Sequence, residues 1–173
     1  MKKTKMIVIA MIFIFLVLTG CLFVHPLKSE TSQNVNEKEC QENVLLRTDG
    51  TITQTFQCEV DDLNKITFQS SYKAEGILYH VAVKLEGKNI AEQDLICKNA
   101  NGVAKISFNP QASKNKSITV EITNKSQEDL SLPKENGTKD TLNMTYYGMA
   151  DNYFFAWYPL FVAAILLVVL VVI

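Results

Sequence analysis

The sequence predicts an all-β fold, an antiparallel β-sandwich that is jelly-roll-like and flanked by two transmembrane helices. Three observations carry this. Ile77, Tyr79, Val81, Val83 and Leu85 alternate with Leu78, His80, Ala82 and Lys84, a period of two that buries one face of a strand and wets the other. About eight short runs of this kind succeed one another at intervals of roughly ten residues, with no helical periodicity between them. Both ends of the chain are apolar over lengths that match a bilayer.

The chain has 173 residues. Without its apolar ends it keeps about 120, enough for one domain with a modest core. The formal net charge is −1, and Lys is scattered among Glu and Asp. No basic stripe of the kind a phosphate backbone requires is present, which excludes nucleic acid as a partner. Arg47 is the only arginine and Asn is abundant, a usage that fits an AT-rich bacterial genome.

Residues 1–28 open with Lys2, Lys3 and Lys5 and run apolar from Met6 to Val24. At 1.5 Å per residue that run is about 28 Å long, close to the hydrocarbon thickness. Two readings stand side by side: an uncleaved signal anchor, or a lipoprotein signal in which Leu18, Thr19 and Gly20 precede a Cys21 that is lipidated and becomes the mature N-terminus. In both, the lysines stay in the cytoplasm and the chain beyond the apolar run goes outside. Residues 29–43 have the composition of a polar linker, residues 44–148 form the expected extracytoplasmic sandwich, and residues 153–173 form a second span. There Tyr153, Trp157 and Tyr158 suit a headgroup layer, and Leu160 to Ile173 carries no polar side chain. No basic residue closes this span, so the chain is expected to be the N-terminal part of a larger polytopic protein. The lipid bilayer is thus a partner, and the expected location is a bacterial cell membrane.

Within the sandwich, Val44 to Leu46 and Thr51 to Cys58 flank an Asp49-Gly50 pair that reads as a hairpin turn, because both positions tolerate positive φ. Leu63, Ile66 and Phe68 then share a strand. After the central strand come Ile90 to Cys97, the inward set Ala104, Ile106 and Phe108, and the alternating set Ile118, Val120 and Ile122. Leu130 and Leu132 read as an edge strand ended by Pro133, and Leu142, Met144 and Tyr146 as the inward face of the last strand.

Of the cysteines, Cys21 lies in the first apolar run. If Asp49-Gly50 closes a hairpin, Cys40 falls opposite Cys58, and a disulfide there would stabilise the domain by about 3 kcal/mol. Cys58 and Cys97 share the inward parity, so they pair across the core or sit there as free, small hydrophobes. No CxxC spacing points to zinc or redox chemistry.

Chemistry has few carriers. His25 stands at the end of the first apolar run and His80 on the outer face of the central strand, with no nucleophile motif beside either. Asp61 and Asp62 have the residue types of a calcium or sugar site and equally those of a turn. Asn115, Asn124, Asn136 and Asn143 each begin an Asn-x-Ser/Thr triplet, a frequent accident in an Asn-rich chain. Nothing calls for a cofactor or metal. The exposed candidates for stacking on a sugar ring are Tyr72, His80 and Tyr147, which fall outside the inward parity.

The phrases TITQTFQCEVDDLNKITFQSS, ILYHVAVKLEGKNIAEQDLI and NGVAKISFNPQASKNKSITVEIT resemble the extracytoplasmic β-sandwich of bacterial polytopic membrane proteins that handle surface polysaccharide, membrane glycosyltransferases among them. Gln54 and Phe56, Leu63 and Ile66, Phe108 and Pro110, and Val120 and Ile122 carry the resemblance, over Thr51 to Thr123. It implies a noncatalytic module that binds a cell-surface glycan or a neighbouring membrane protein. It supplies no catalytic residues for this chain. The competing expectations are a lipoprotein lipidated at Cys21 with a structural or adhesive role, and a part of a membrane glycosyltransferase.

Overall fold

The computed structural model describes residues 2–36, 38–70, 76–97, 102–138 and 141–172. The chain divides into two compact units, Met1–Ser29 with Ala150–Ile173, and Glu30–Met149.

The first unit pairs helix α1 (Lys2–Val24) with helix α2 (Phe154–Val172). Both are long and apolar enough to cross a membrane. In α1 the one interior hydroxyl that is buried, Thr19, donates to the Phe15 carbonyl one turn earlier at 2.8 Å, which satisfies it. At the start of α2 the Asn152 side chain accepts the Phe154 N–H at 3.0 Å, capping a helix that has no acidic residue in its first turn. Ala156, Pro159 and Ala163 form the buried seam of α2. Their small size lets the helices approach closely. Phe23 closes the pair, its ring 6.2 Å from Tyr153 and 5.6 Å from Trp157, edge-on to the latter.

The second unit is the expected antiparallel β-sandwich. Its strands are β1 (Leu27–Asn34), β2 (Glu42–Leu46), β3 (Thr51–Gln57), β4 (Asp61–Gln69), β5 (Leu78–Leu85), β6 (Lys88–Ile96), β7 (Val103–Gln111), β8 (Ser117–Asn124), β9 (Leu130–Lys134) and β10 (Met144–Asn152). They form one sheet in the order β1-β10-β4-β7, another in the order β3-β8-β5-β6, and a β2-β9 pair. The chain crosses repeatedly between sheets, as in a jelly roll. The alternating sets behave as their parity demands: Tyr79, Val81 and Val83 of β5, Ile118, Val120 and Ile122 of β8, and Leu142, Met144 and Tyr146 at β10 are buried. Phe68 meets Tyr79 edge-to-face at 5.3 Å between the two sheets, and Tyr79 shares a hydrogen bond with Ser70 that satisfies its buried hydroxyl.

Three expectations are corrected. Part of the polar stretch 29–43 is strand, because β1 lies at the edge of its sheet beside β10 and needs little apolar side chain there. Asp49-Gly50 does not close a hairpin. β2 pairs with β9 from Glu42↔Lys134 to Leu46↔Leu130, and β3 pairs with β8 from Thr51↔Thr123 to Gln57↔Ser117. Residues 42–57 therefore run beside 117–134 as one long ribbon, and Asp49-Gly50 is its corner. Asp49 takes φ +56°, and Gly50 N–H bonds the Arg47 carbonyl at 2.9 Å. The same tolerance of positive φ serves a corner as well as a reversal.

The third correction concerns the disulfides. All four cysteines are free. Cys40 lines a hollow with Gln69 and Ser70 at the end of β4, whereas Cys58 donates to the carbonyl of Val60, next to the start of β4. The length of β4, about 25 Å at ~3.3 Å per residue, separates them. Cys58 and Cys97 are as badly placed: Cys58 N–H bonds the Lys116 carbonyl beside the start of β8, and Cys97 N–H bonds the Ile77 carbonyl beside the start of the antiparallel β5. A disulfide needs Cα atoms within about 7 Å.

Candidate functional site

The sequence-derived candidates do not converge. Tyr72 lies outside the described residues. His80 is on the outer face of β5, and Tyr147 is on β10 in the other sheet. The ring of Tyr147 is covered, with the Lys65 ammonium 3.7 Å from its centroid and that ammonium 3.2 Å from Glu30. Its face is therefore engaged in a cation–π contact and a sugar would have to displace a lysine.

Around His80, Nδ1 lies 2.8 Å from Asp94 Oδ1 and Nε2 lies 3.1 Å from Glu92 Oε1, both on β6. The two ring nitrogens point apart, so the carboxylates do not converge on one ion. Among the described residues no group of three His, Cys, Asp or Glu side chains is arranged to hold a metal. Next along the face stands Ala82, between Glu92 of β6 and Glu121 of β8, and then Lys84, 2.5 Å from Glu121. Thr51 bonds Thr123 at 2.8 Å and Thr55 bonds Thr119 at 3.0 Å. These are cross-strand pairs that satisfy one another on a solvated sheet face. The outward positions paired here carry no aromatic ring. Asp62 takes φ +49° at the start of β4, which makes it a backbone-bending residue.

An aromatic platform does exist, at the rim of the sandwich. Phe56 in β3 and Tyr146 in β10 stack with centroids 4.9 Å apart and planes 25° from parallel. They form the floor of a cleft of about 280 Å³ whose other walls are Gln33, Asn34, Val35, Gln57 and Glu59. The strands explain why the rings meet there. Phe56 stands next to the end of β3 and keeps part of its ring exposed, whereas Tyr146 pairs with Ile66 in the interior of its sheet, is buried, and backs the Phe56 ring. The phenol oxygen of Tyr146 accepts the Glu59 N–H at 3.3 Å, which leaves its own O–H as a donor. Burial pushes that phenol above its ordinary range, so it stays protonated.

Gln57 Nε2 bonds the Asn115 carbonyl at 3.2 Å, and Asn34 Oδ1 accepts Thr145 Oγ1 at 2.9 Å. Each amide is thus held in place while keeping its remaining hydrogen-bonding atom available. A stacked apolar floor with amide, phenol and carboxylate groups around it is the composition that holds a polyhydroxylated ring. Among the described residues Glu59 is the only carboxylate lining the cleft, so the two-carboxylate arrangement of glycoside hydrolysis is missing from it. By parity Phe56 shares a face with Ile52 and Cys58, and Tyr146 with Leu142 and Met144, so the sequence alone assigns both rings to the core. The signal is the place of Phe56 next to the end of β3, where an inward residue loses part of its cover.

Larger hollows of about 440 and 370 Å³ run along the seam where the edges of β6 and β7 face each other. Between them they hold one ring, Phe108.

No family model matches the chain and no curated protein sequence matches it. Among solved structures it is similar to the CBM36-1 domain of a multidomain xylanase from the hindgut metagenome of Trinervitermes trinervoides, at 12% identity and TM-score 0.39, covering 72% of this chain and 100% of that one. It is also similar to the VP2 subviral particle of infectious bursal disease virus, at 12% identity and TM-score 0.41, covering 73% of this chain and 34% of that one. The Podospora anserina GH26-CBM35 β-(1,4)-mannanase gives 8% identity and TM-score 0.37, covering 71% of this chain and 28% of that one. Likenesses at this level identify no family.

Proposed function

We propose that the chain is a noncatalytic, membrane-anchored module that binds cell-surface glycan outside the cytoplasm through the cleft lined by Phe56 and Tyr146. The observation that carries the proposal is the half-exposed ring of Phe56, stacked on the buried ring of Tyr146 and lining one cleft with Gln33, Gln57 and Glu59. Stacking on a sugar face and hydrogen bonds to its hydroxyls require no nucleophile and no metal.

Anchoring is supported by two helices of spanning length. An intact anchor is favoured over lipidation at Cys21 by the continuity of α1 through Cys21 to Val24, and by the contacts of Phe23 with Tyr153 and Trp157. Cleavage before Cys21 would remove most of the helix against which α2 packs.

Pull-down of the full chain in detergent micelles by insoluble cell-wall polysaccharide tests the proposal. Phe56→Ala is expected to weaken retention about tenfold or more, the scale of losing an aromatic contact at a binding site. Tyr146→Phe, which keeps the ring and removes the hydroxyl, is expected to fall between wild type and Phe56→Ala. His80→Ala and Tyr147→Ala are expected to bind like wild type. Equal retention of Phe56→Ala and wild type, with both folded by circular dichroism, would overturn the assignment.

A further inference from the structure

We infer, on the basis of the glycan-binding reading above, that the Phe56–Tyr146 cleft prefers a glycosyl unit bearing a free amine and disfavours an acidic one. Among the described residues Glu59 is the only charged side chain lining the cleft, and the remaining polar groups are the amides of Gln33, Asn34 and Gln57 and the phenol of Tyr146. No described lysine or arginine lines it, so a uronate or phosphate substituent would meet a carboxylate with no cation to offset it.

The Glu59 backbone N–H is tied to the Tyr146 oxygen, which fixes this residue at the edge of the ring pair, while its side chain is exposed. An ammonium group on a sugar seated against the Phe56 ring would come within reach of that carboxylate, which lines the same cleft. The size of the cleft, about 280 Å³, is just below the range of roughly 300–1,000 Å³ usual for small-molecule sites, which suits one glycosyl unit seated end-on.

The test uses the full chain in detergent and three soluble oligosaccharides of equal length, built from glucosamine, N-acetylglucosamine and glucuronic acid units, titrated calorimetrically at low salt and again at 0.5 M salt. The expected order is amine above acetamide above carboxylate. The amine is expected to lead by about two- to fivefold at low salt, the scale of a solvent-exposed ion pair. That lead should shrink at high salt, where the Debye length falls below about 5 Å. Glu59→Gln should draw the three affinities together. Equal affinities in the wild type, tightest binding of the acidic oligomer, or a preference that survives in Glu59→Gln would overturn the inference while leaving glycan binding in place. Failure of all three oligomers to bind, or binding unaffected by Phe56→Ala, would instead remove the glycan-binding reading itself.

Discussion

The side-chain amide of Asn124 donates to the carbonyl of Leu46 at 3.2 Å, from the end of β8 to the end of β2, and so pins the corner of the long ribbon. The same amide donates to the Glu128 carbonyl at 2.7 Å and accepts the Ser126 N–H at 2.9 Å. It is fully buried. Removing it strands two carbonyls and an N–H at the corner, so Asn124→Ala is expected to cost about 3 kcal/mol in denaturant unfolding. Asn124→Asp would keep the acceptor and lose both donations, with a comparable loss. Although Asn124 begins an Asn-x-Ser triplet, its burial closes it to glycosylation in the folded chain.

Gly148 supplies a second test of the packing. It lies where the register of β10 against β4 shifts between Tyr147 and Met149. A Cβ built there would sit 2.4 Å from the Asp61 carbonyl oxygen and 2.6 Å from Val60 Cγ2. Since backbone is one of the obstacles, Gly148→Ala is expected to destabilise by about 2–3 kcal/mol. Gly20→Ala, which meets nothing within 4 Å in helix α1, is expected to be neutral or slightly stabilising.

These positions show what was legible in the sequence and what was not. Period-two alternation named the inward faces of β5, β8 and β10, because a half-buried strand must alternate. It said nothing about which strand lies beside which. Asp49-Gly50 carries the conformational signature of a tight turn, yet whether the chain reverses or turns a corner is decided by the partners of β2 and β3, which lie at 117–134. β1 escaped notice because an edge strand with mostly exposed side chains has linker composition. The candidate site escaped for a related reason. Inward parity marks Phe56 and Tyr146 as core, which holds for Tyr146, and only the end of β3 leaves Phe56 half-exposed.

Tyr79 gives the fold an alkaline limit. Burial pushes its phenol from the ordinary 10 up to about 12. The folded state therefore holds the proton over an interval in which the unfolded chain has released it. The contribution is fully present below pH 10 and is lost as pH rises from about 10 towards about 12, at up to roughly 1.4 kcal/mol per unit. Tyr79→Phe abolishes this titration but leaves Ser70 without its partner. The variant should be less stable than wild type at pH 7, with the gap narrowing at pH 11. A parallel decline of both proteins across this interval would show that Tyr79 does not set the limit.

The cysteines predict a labelling pattern. Cys58 and Cys97 are buried, and burial pushes both thiols above their ordinary range. Cys40 is half-exposed. Burial, and after it the charge of Glu135, also raises its thiol. Alkylation of the folded protein at pH 8.5 is therefore expected to modify Cys40 slowly and to spare Cys58 and Cys97 until denaturant is added. Mass spectrometry under non-reducing conditions should find no Cys40–Cys58 or Cys58–Cys97 linkage within one chain.

The orientation proposed for the sandwich is tested at the loop between β7 and β8. Ser113 is an unsuitable probe site. Its hydroxyl donates to the Val60 carbonyl at 2.8 Å, accepts the Leu63 N–H at 3.1 Å and is fully buried. A cysteine there would disturb the domain and escape the reagent. Lys114, the next residue, is exposed. Cys40, being half-exposed, needs replacement by serine to remove its background. In that setting, Lys114→Cys should react with a membrane-impermeant maleimide in intact cells as fully as after lysis. Lys5→Cys, on the charged side of α1, should react only after lysis, because basic flanks stay in the cytoplasm. Reaction of Lys114→Cys only after lysis would place the domain with the lysines and remove the Phe56–Tyr146 cleft from any glycan at the cell surface.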